Sequence, residues 1–131
     1  MSGWKRIEDI HIWQLAREIC REVWHITRRK SYQFDQGLIR QMLDSSGSMM
    51  DNVAEGFERG SNREFKTFLG YAKGSAGELR SQLLRSYDRG LVSETELRSI
   101  EIKVVQFSKQ SKALIHRLGK SPEHKGFRFE V

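Results

Sequence analysis

Three polar residues stand where acid–base chemistry would be possible in a helical protein. Asn52 and Glu55 lie three positions apart, so they share one side of a helix, and Glu78 stands among small and apolar residues. An enzyme would combine such carboxylates with a nucleophile or a set of metal ligands, and neither accompanies them in the sequence. We therefore expect Asn52, Glu55 and Glu78 to form part of a buried or half-buried polar network that fixes helix register.

Other catalytic or metal-binding patterns are absent from the sequence. There is no phosphate-binding loop, dinucleotide fingerprint or nucleophile elbow. The single cysteine, Cys20, excludes an internal disulfide, and its apolar surroundings indicate a buried thiol. We predict a protein that is not an enzyme and needs no metal or cofactor. Its four histidines do not pair at helical spacing: His11, His25, His116 and His124.

Basic residues give the clearest functional indication. The chain has 23 Lys and Arg against 17 Asp and Glu, a formal net charge of +6 that favours a polyanionic partner. One basic stripe follows the third predicted helix at about heptad spacing: Arg59, Arg63, Lys66, Lys73 and Arg80. Residues 103–120 contain no acid and a second set of cations: Lys103, Lys109, Lys112, Arg117 and Lys120.

A single basic segment is more often a solvated helix face than a binding site. Two such segments on adjacent helices, with a basic tail behind them, favour phosphate contact. The first predicted helix differs, because its acidic residues balance Arg17 and Arg21 in charge: Glu8, Asp9, Glu18 and Glu22. We therefore predict that the second half of the chain carries the surface that contacts phosphates.

Hydrophobic periodicity places these residues on four helices, at about 7–29, 35–58, 62–89 and 94–118. Ser61 with Glu64, and Ser93 with Glu96, are capping-box patterns that begin the third and fourth helices. Short connections predict an all-α, antiparallel up-and-down four-helix bundle over residues 1–118, with a basic tail at 119–131. The fourth helix carries the most regular apolar seam: Leu97, Ile100, Val104, Phe107, Ser111, Leu114 and Leu118.

Three glycines share one face of the third predicted helix: Gly70, Gly74 and Gly77. Each costs roughly 1 kcal/mol of helix propensity relative to alanine. We expect a close approach of another helix to offset that cost. No apolar run is long enough to span a membrane and the N-terminus lacks a signal peptide, so a cytoplasmic protein without a membrane partner is expected.

The sequence also resembles a known family. The residues that carry the resemblance are WQLA at 13–16, Gln41, NVAEGFER at 52–59, SNREF at 61–65, FLGYAKGS at 68–75 and Glu78-Leu79. The chain is similar, over about residues 7–118, to small bacterial four-helix-bundle proteins first noticed as products of intervening sequences in 23S ribosomal RNA genes. That family includes the accessory variability proteins of diversity-generating retroelements. Met50 stands where the family usually has proline, and Gln33-Phe34 where it usually has Phe-Pro.

The resemblance implies an antiparallel bundle that assembles as a barrel-shaped homopentamer with a basic surface. It also implies, for retroelements, action together with a reverse transcriptase and its template RNA. The leading hypothesis is a non-enzymatic accessory protein that binds RNA or DNA through the two basic segments. The alternative is a ring-shaped protein–protein adaptor that recruits an enzyme without binding nucleic acid directly.

Overall fold

The computed structural model describes residues 3–120, which form four α-helices. Helix α1 spans His11–Thr27, α2 spans Gln36–Glu58, α3 spans Asn62–Asp88 and α4 spans Glu94–Lys120. Short 3-10 turns at Ile7–Asp9 and Lys30–Phe34 precede α1 and α2. Residues 3–120 contain no β-strand, so the predicted all-α class is confirmed. Of the predicted basic tail, residues 121–131 lie outside the described part of the chain.

Helix ends follow local capping chemistry. The Ser61 hydroxyl accepts a hydrogen bond from the backbone N–H three residues later at 3.2 Å, and the Ser93 hydroxyl does the same at 3.1 Å. The Glu96 carboxylate in turn accepts from the backbone N–H of Ser93 at 2.9 Å, which completes the capping box of α4. Gly60 and Gly90, with φ of 85° and 73°, follow the last turns of α2 and α3. Both predicted helix starts are confirmed.

The four helices pack with α1 and α3 at diagonal corners. Helix α3 packs most extensively against α2 and α4, and α1 packs against the same two helices. Because the connections are short, consecutive helices run in opposite directions. The outward sides of α1 and α3 therefore face away from each other.

Apolar residues from all four helices meet in one core. Phe57 of α2 and Phe65 of α3 make an edge-to-face contact with 6.3 Å between ring centroids. Full burial of one such side chain contributes roughly 1.5–3 kcal/mol relative to exposure. Tyr87, near the end of α3, is 40% exposed. The predicted seam of α4 is confirmed, since every member is buried: Leu97, Ile100, Val104, Phe107, Ser111, Leu114 and Leu118.

Gly56 lies where α2 and α3 approach each other closely. A Cβ at this position would lie 2.8 Å from the Cβ of Phe68 and 3.0 Å from Cδ1 of Phe65. Only a residue without a side chain fits there without a shift, because one neighbour is the Cβ of Phe68 and the other is a ring atom of the fully buried Phe65.

The glycine face of α3 is not a contact within the bundle, and the prediction of a close helix approach there is wrong for the single chain. Gly70, Gly74 and Gly77 are exposed, and a Cβ at any of them would meet nothing within 4 Å. Their spacing places them on the side of α3 opposite Leu69 and Ala76, which face the core.

Buried polar contacts fix the register of α2 against α3. The Ser45 hydroxyl donates to Oε1 of Gln82 at 2.7 Å, and both residues are buried. The Ser86 hydroxyl donates to the backbone carbonyl of Gln82 at 2.9 Å and lies 3.4 Å from the sulfur of Met42. Such pairs hold one relative position of two helices, because any shift would leave buried polar atoms without partners.

Candidate nucleic-acid interface

The residues predicted to contact phosphates do not share one surface. Lys103 and Arg117 lie on the edge of α4 that faces α1, whereas Lys109 and Lys112 lie on its outer side and the edge toward α3. Arg63 is exposed on the outer side of α3. The cations of residues 103–120 therefore do not form one continuous basic face, because an α-helix distributes a cluster in sequence around its axis.

Lys103 forms ion pairs with two carboxylates of α1. Its Nζ lies 2.8 Å from Oε2 of Glu22 and 3.9 Å from Oε1 of Glu18. The hydrogen bond to Glu22 raises the pKa of Lys103 above its ordinary value, so the ammonium stays charged but is already paired. Glu18 and Glu22, which count toward the charge balance of the first helix, therefore face α4.

Arg59 is also engaged within the chain. Its Nε lies 2.9 Å from Oε2 of Glu55, and a terminal nitrogen lies 3.5 Å from Glu64. The guanidinium carbon lies 5.0 Å from the centre of the Phe68 ring, within cation–π range. The hydrogen bond to Glu55 raises the pKa of Arg59 further. Arg59 thus links the end of α2 to the start of α3. Because its N–H groups are paired with these carboxylates, fewer of them can contact a phosphate than the sequence indicated.

Arg80 bridges α3 and α4 through one buried carboxylate. Glu101 accepts from Nε of Arg80 at 3.0 Å and from a terminal nitrogen of Arg98 at 2.6 Å. Arg98, and then Arg80, hold the pKa of Glu101 below its ordinary value despite burial. The Arg80 side chain stays 53% exposed, so part of its guanidinium faces solvent. It borders a shallow groove of about 610 Å³ on α4 lined by Glu101, Ile102, Val105, Gln106, Lys109 and Gln110.

The α3–α4 edge gathers the cations that the sequence analysis identified by heptad spacing. Lys66, Lys73 and Arg80 follow one line along α3, seven residues apart. Arg80 reaches α4 at Glu101, and Nζ of Lys66 lies 3.8 Å from the site of a Cβ on Gly119 near the end of α4. We define the α3–α4 basic surface as Lys66, Lys73, Arg80, Lys109 and Lys112. Glu101 is the one carboxylate paired with a member of this surface in residues 3–120.

Most of the polar residues that were predicted to form an inner network are exposed to solvent. Glu78 is exposed, and Glu55 is exposed and paired with Arg59. Asn52 is half-buried and donates through Nδ2 to the backbone carbonyl of Ser48 at 2.8 Å. The prediction of a buried network holding the two carboxylates is wrong, because an ionised carboxylate is costly to bury without a paired cation.

Helix α1 carries a set of residues that the sequence analysis missed. Arg17, Arg21 and Arg28 are exposed, and Trp24 is 48% exposed between them. Their spacing of four, three and four residues was visible in the sequence as one helix side. The equal numbers of acidic and basic residues in α1 conceal this cationic side in a residue count.

Residues 3–120 contain no group of three or more His, Cys, Asp or Glu side chains arranged to hold a metal ion. Within the same range, no helix combines the length and the apolar character needed to cross a membrane.

Comparison with known proteins assigns the family. The model for the family described as 23S rRNA-intervening sequence protein matches residues 8–113. A solved structure from the S23 ribosomal protein family of Bacteroides thetaiotaomicron shares the fold, with a TM-score of 0.72 and 18% identity, covering 79% of this chain and 97% of that one. No curated protein matches the chain. Neither the family description nor the name of the structural relative refers to an enzyme. The chain therefore belongs to the 23S rRNA-intervening sequence protein family, and the resemblance inferred from its residues is confirmed.

Proposed function

We propose that this protein is a non-enzymatic accessory protein that binds nucleic acid through its α3–α4 basic surface. The observation that carries the proposal is the imbalance of charge there. Lys66, Lys73, Lys109 and Lys112 pair with no carboxylate within residues 3–120, and Arg80 shares Glu101 with a second arginine. Uncompensated cations on two adjacent antiparallel helices suit a ligand with regularly spaced negative charge.

The expected recognition is electrostatic and largely independent of base sequence. Lysine contacts phosphate as a point charge and releases counterions from the nucleic acid, which supplies affinity without reading bases. RNA and DNA both satisfy this chemistry. The words rRNA and ribosomal in the names of the family and of the structural relative support a nucleic-acid partner.

Neutralising two lysines tests the proposal. The double variant Lys73→Gln/Lys112→Gln should bind an RNA duplex roughly tenfold or more weakly, because each exposed electrostatic contact contributes on the order of 1 kcal/mol. Fluorescence anisotropy with a labelled duplex at fixed salt gives the affinity. Lys103→Gln is the matched control on α4: it removes the same charge beside Glu22 and should leave affinity within about twofold. Equal losses in both variants, or none in either, would contradict the assignment of the surface.

From the family resemblance we also propose that the chain assembles as a homopentameric ring and acts with a reverse transcriptase in a diversity-generating retroelement. The exposed glycine face of α3 supports self-association, because Gly70, Gly74 and Gly77 leave room for a helix of another copy. Light scattering tests the ring. A mass about five times 15.3 kDa is expected, and a monomer would contradict it.

A second candidate function is a protein–protein adaptor that recruits an enzyme to such a ring. The same open glycine face favours it, since this is a surface shaped for a protein helix. Charge reversal at Arg63 and Lys66 separates the two functions. Loss of reverse transcriptase in a pull-down with unchanged RNA affinity would favour the adaptor over the nucleic-acid binder.

A further inference from the structure

The acidic and the basic residues of α1 lie on different sides of the helix. Glu18 and Glu22 face α4, where Lys103 neutralises them. Arg17 and Arg21 of the same helix, and Arg28 at its C-cap, are exposed, and none of them pairs with a carboxylate in the part of the chain that the structure describes. The sequence of α1 is close to neutral, but one side of the helix is uniformly cationic.

An exposed tryptophan lies within this cationic side. Trp24 is 48% exposed, and the guanidinium carbon of Arg28 lies 5.1 Å from the centre of its ring. Arg17 makes a similar contact with the buried Trp13 at 5.7 Å. A single exposed aromatic residue is common and carries little meaning alone. Here it accompanies a row of arginines, which places one exposed aromatic ring among three cationic groups.

The geometry of this row suits an extended strand. Arg17, Arg21, Trp24 and Arg28, which we call the α1 strip, advance by four, three and four residues and so remain on one helix side. At 1.5 Å per residue they cover about 16 Å along the axis. Because α1 is diagonal to α3, the strip is separate from the α3–α4 basic surface.

We propose that the α1 strip binds single-stranded nucleic acid, with the arginines on phosphates and a base stacked against Trp24 or its Arg28 partner. Planar aromatic and guanidinium groups stack on unpaired bases, whereas bases inside a duplex are not available for stacking. An acidic peptide would satisfy the arginines but would provide no flat group for the aromatic face. This inference extends the proposed function, since it adds a second surface and a strand preference to nucleic-acid binding.

The test compares single-stranded and duplex RNA of the same sequence in anisotropy titrations. Trp24→Leu removes the stacking face and should weaken single-strand binding about tenfold, because base–aromatic stacking contributes about 1–3 kcal/mol per base. Trp24→Phe should restore most of that loss, and duplex binding should change less than about twofold. Tyr87→Leu is the matched control, an exposed aromatic residue at the end of α3, and should have no effect. Circular dichroism melts establish that each variant is folded.

The outcomes separate this inference from the proposed function. Unchanged single-strand affinity in Trp24→Leu, with a loss in Lys73→Gln/Lys112→Gln, would overturn the strip and leave the α3–α4 surface standing. The reverse pattern would support the strip and contradict the proposed surface. Binding of polyglutamate with the same dependence on Trp24 would assign the strip to an acidic protein and overturn the inference.

Discussion

At the scale of single residues, pairing decides which cations can meet a ligand. Lys103 and Lys112 stand on the same helix and look alike in the sequence, yet only Lys103 has carboxylates beside it. Arg59 matches the heptad stripe but is held by Glu55 and Glu64. These differences follow from the side of the helix that each residue occupies and from the neighbouring helix, which the local sequence does not specify.

Glu96 forms an ion pair that also stabilises the fold. It caps α4 and contacts Arg29, which follows α1, and these hydrogen bonds lower its pKa from 4.5 to about 2, with Arg29 the larger cause and the backbone of Ser93 the next. Because the folded-state pKa is depressed, the stabilisation is fully present above about pH 4.5. It is lost as the pH falls toward 2 and the carboxylate is protonated.

Glu96→Gln tests this linkage, since glutamine keeps the capping hydrogen bond and removes the charge. We expect the variant to be less stable by about 1 kcal/mol at pH 7, a modest figure because the pair is partly exposed. The difference from the wild type should vanish near pH 2. Urea unfolding at both pH values measures it, with Glu94→Gln as the control in the same helix turn. A difference that persists unchanged at pH 2 would show that the ion pair is not its cause.

At the scale of helices, most of the architecture was predictable. The periodicity of α4 and the capping serines act locally, so the sequence alone identified the buried seam and the helix starts. The glycines of α3 were misplaced for a physical reason. Their spacing shows that they share a side of the helix, but only tertiary packing shows whether that side faces the core or solvent.

The same substitution at two glycines should have opposite effects. Gly74→Ala adds a methyl group in open space on a helix interior and should raise the free energy of unfolding by up to about 1 kcal/mol. Gly56→Ala places its Cβ against Phe68 and should lower it by about 1–3 kcal/mol through overpacking. Urea unfolding of both variants provides the comparison. Destabilisation by Gly74→Ala would contradict this expectation for the single chain and would indicate that the face packs against another copy, as the proposed ring requires.

At the scale of the whole molecule, a net charge of +6 is distributed over separated surfaces. The sequence predicted Lys66, Lys73 and Arg80 as one row because heptad spacing is a local property. It did not reveal the α1 strip, because the acids that hide it in a residue count face α4 in the fold. Two separate cationic surfaces, one on the outer side of α1 and one at the α3–α4 edge, would allow one chain to hold two segments of nucleic acid.

The salt dependence of RNA binding tests the central claim most directly. For a duplex, the logarithm of affinity falls by about 0.9 per logarithm of salt concentration for each phosphate neutralised. Replacing Lys66, Lys73, Lys109 and Lys112 with Gln should therefore make the slope shallower by roughly 3 to 4 relative to the wild type. A slope that is unchanged by the four substitutions, or a wild-type protein that binds no RNA at low salt, would contradict the account.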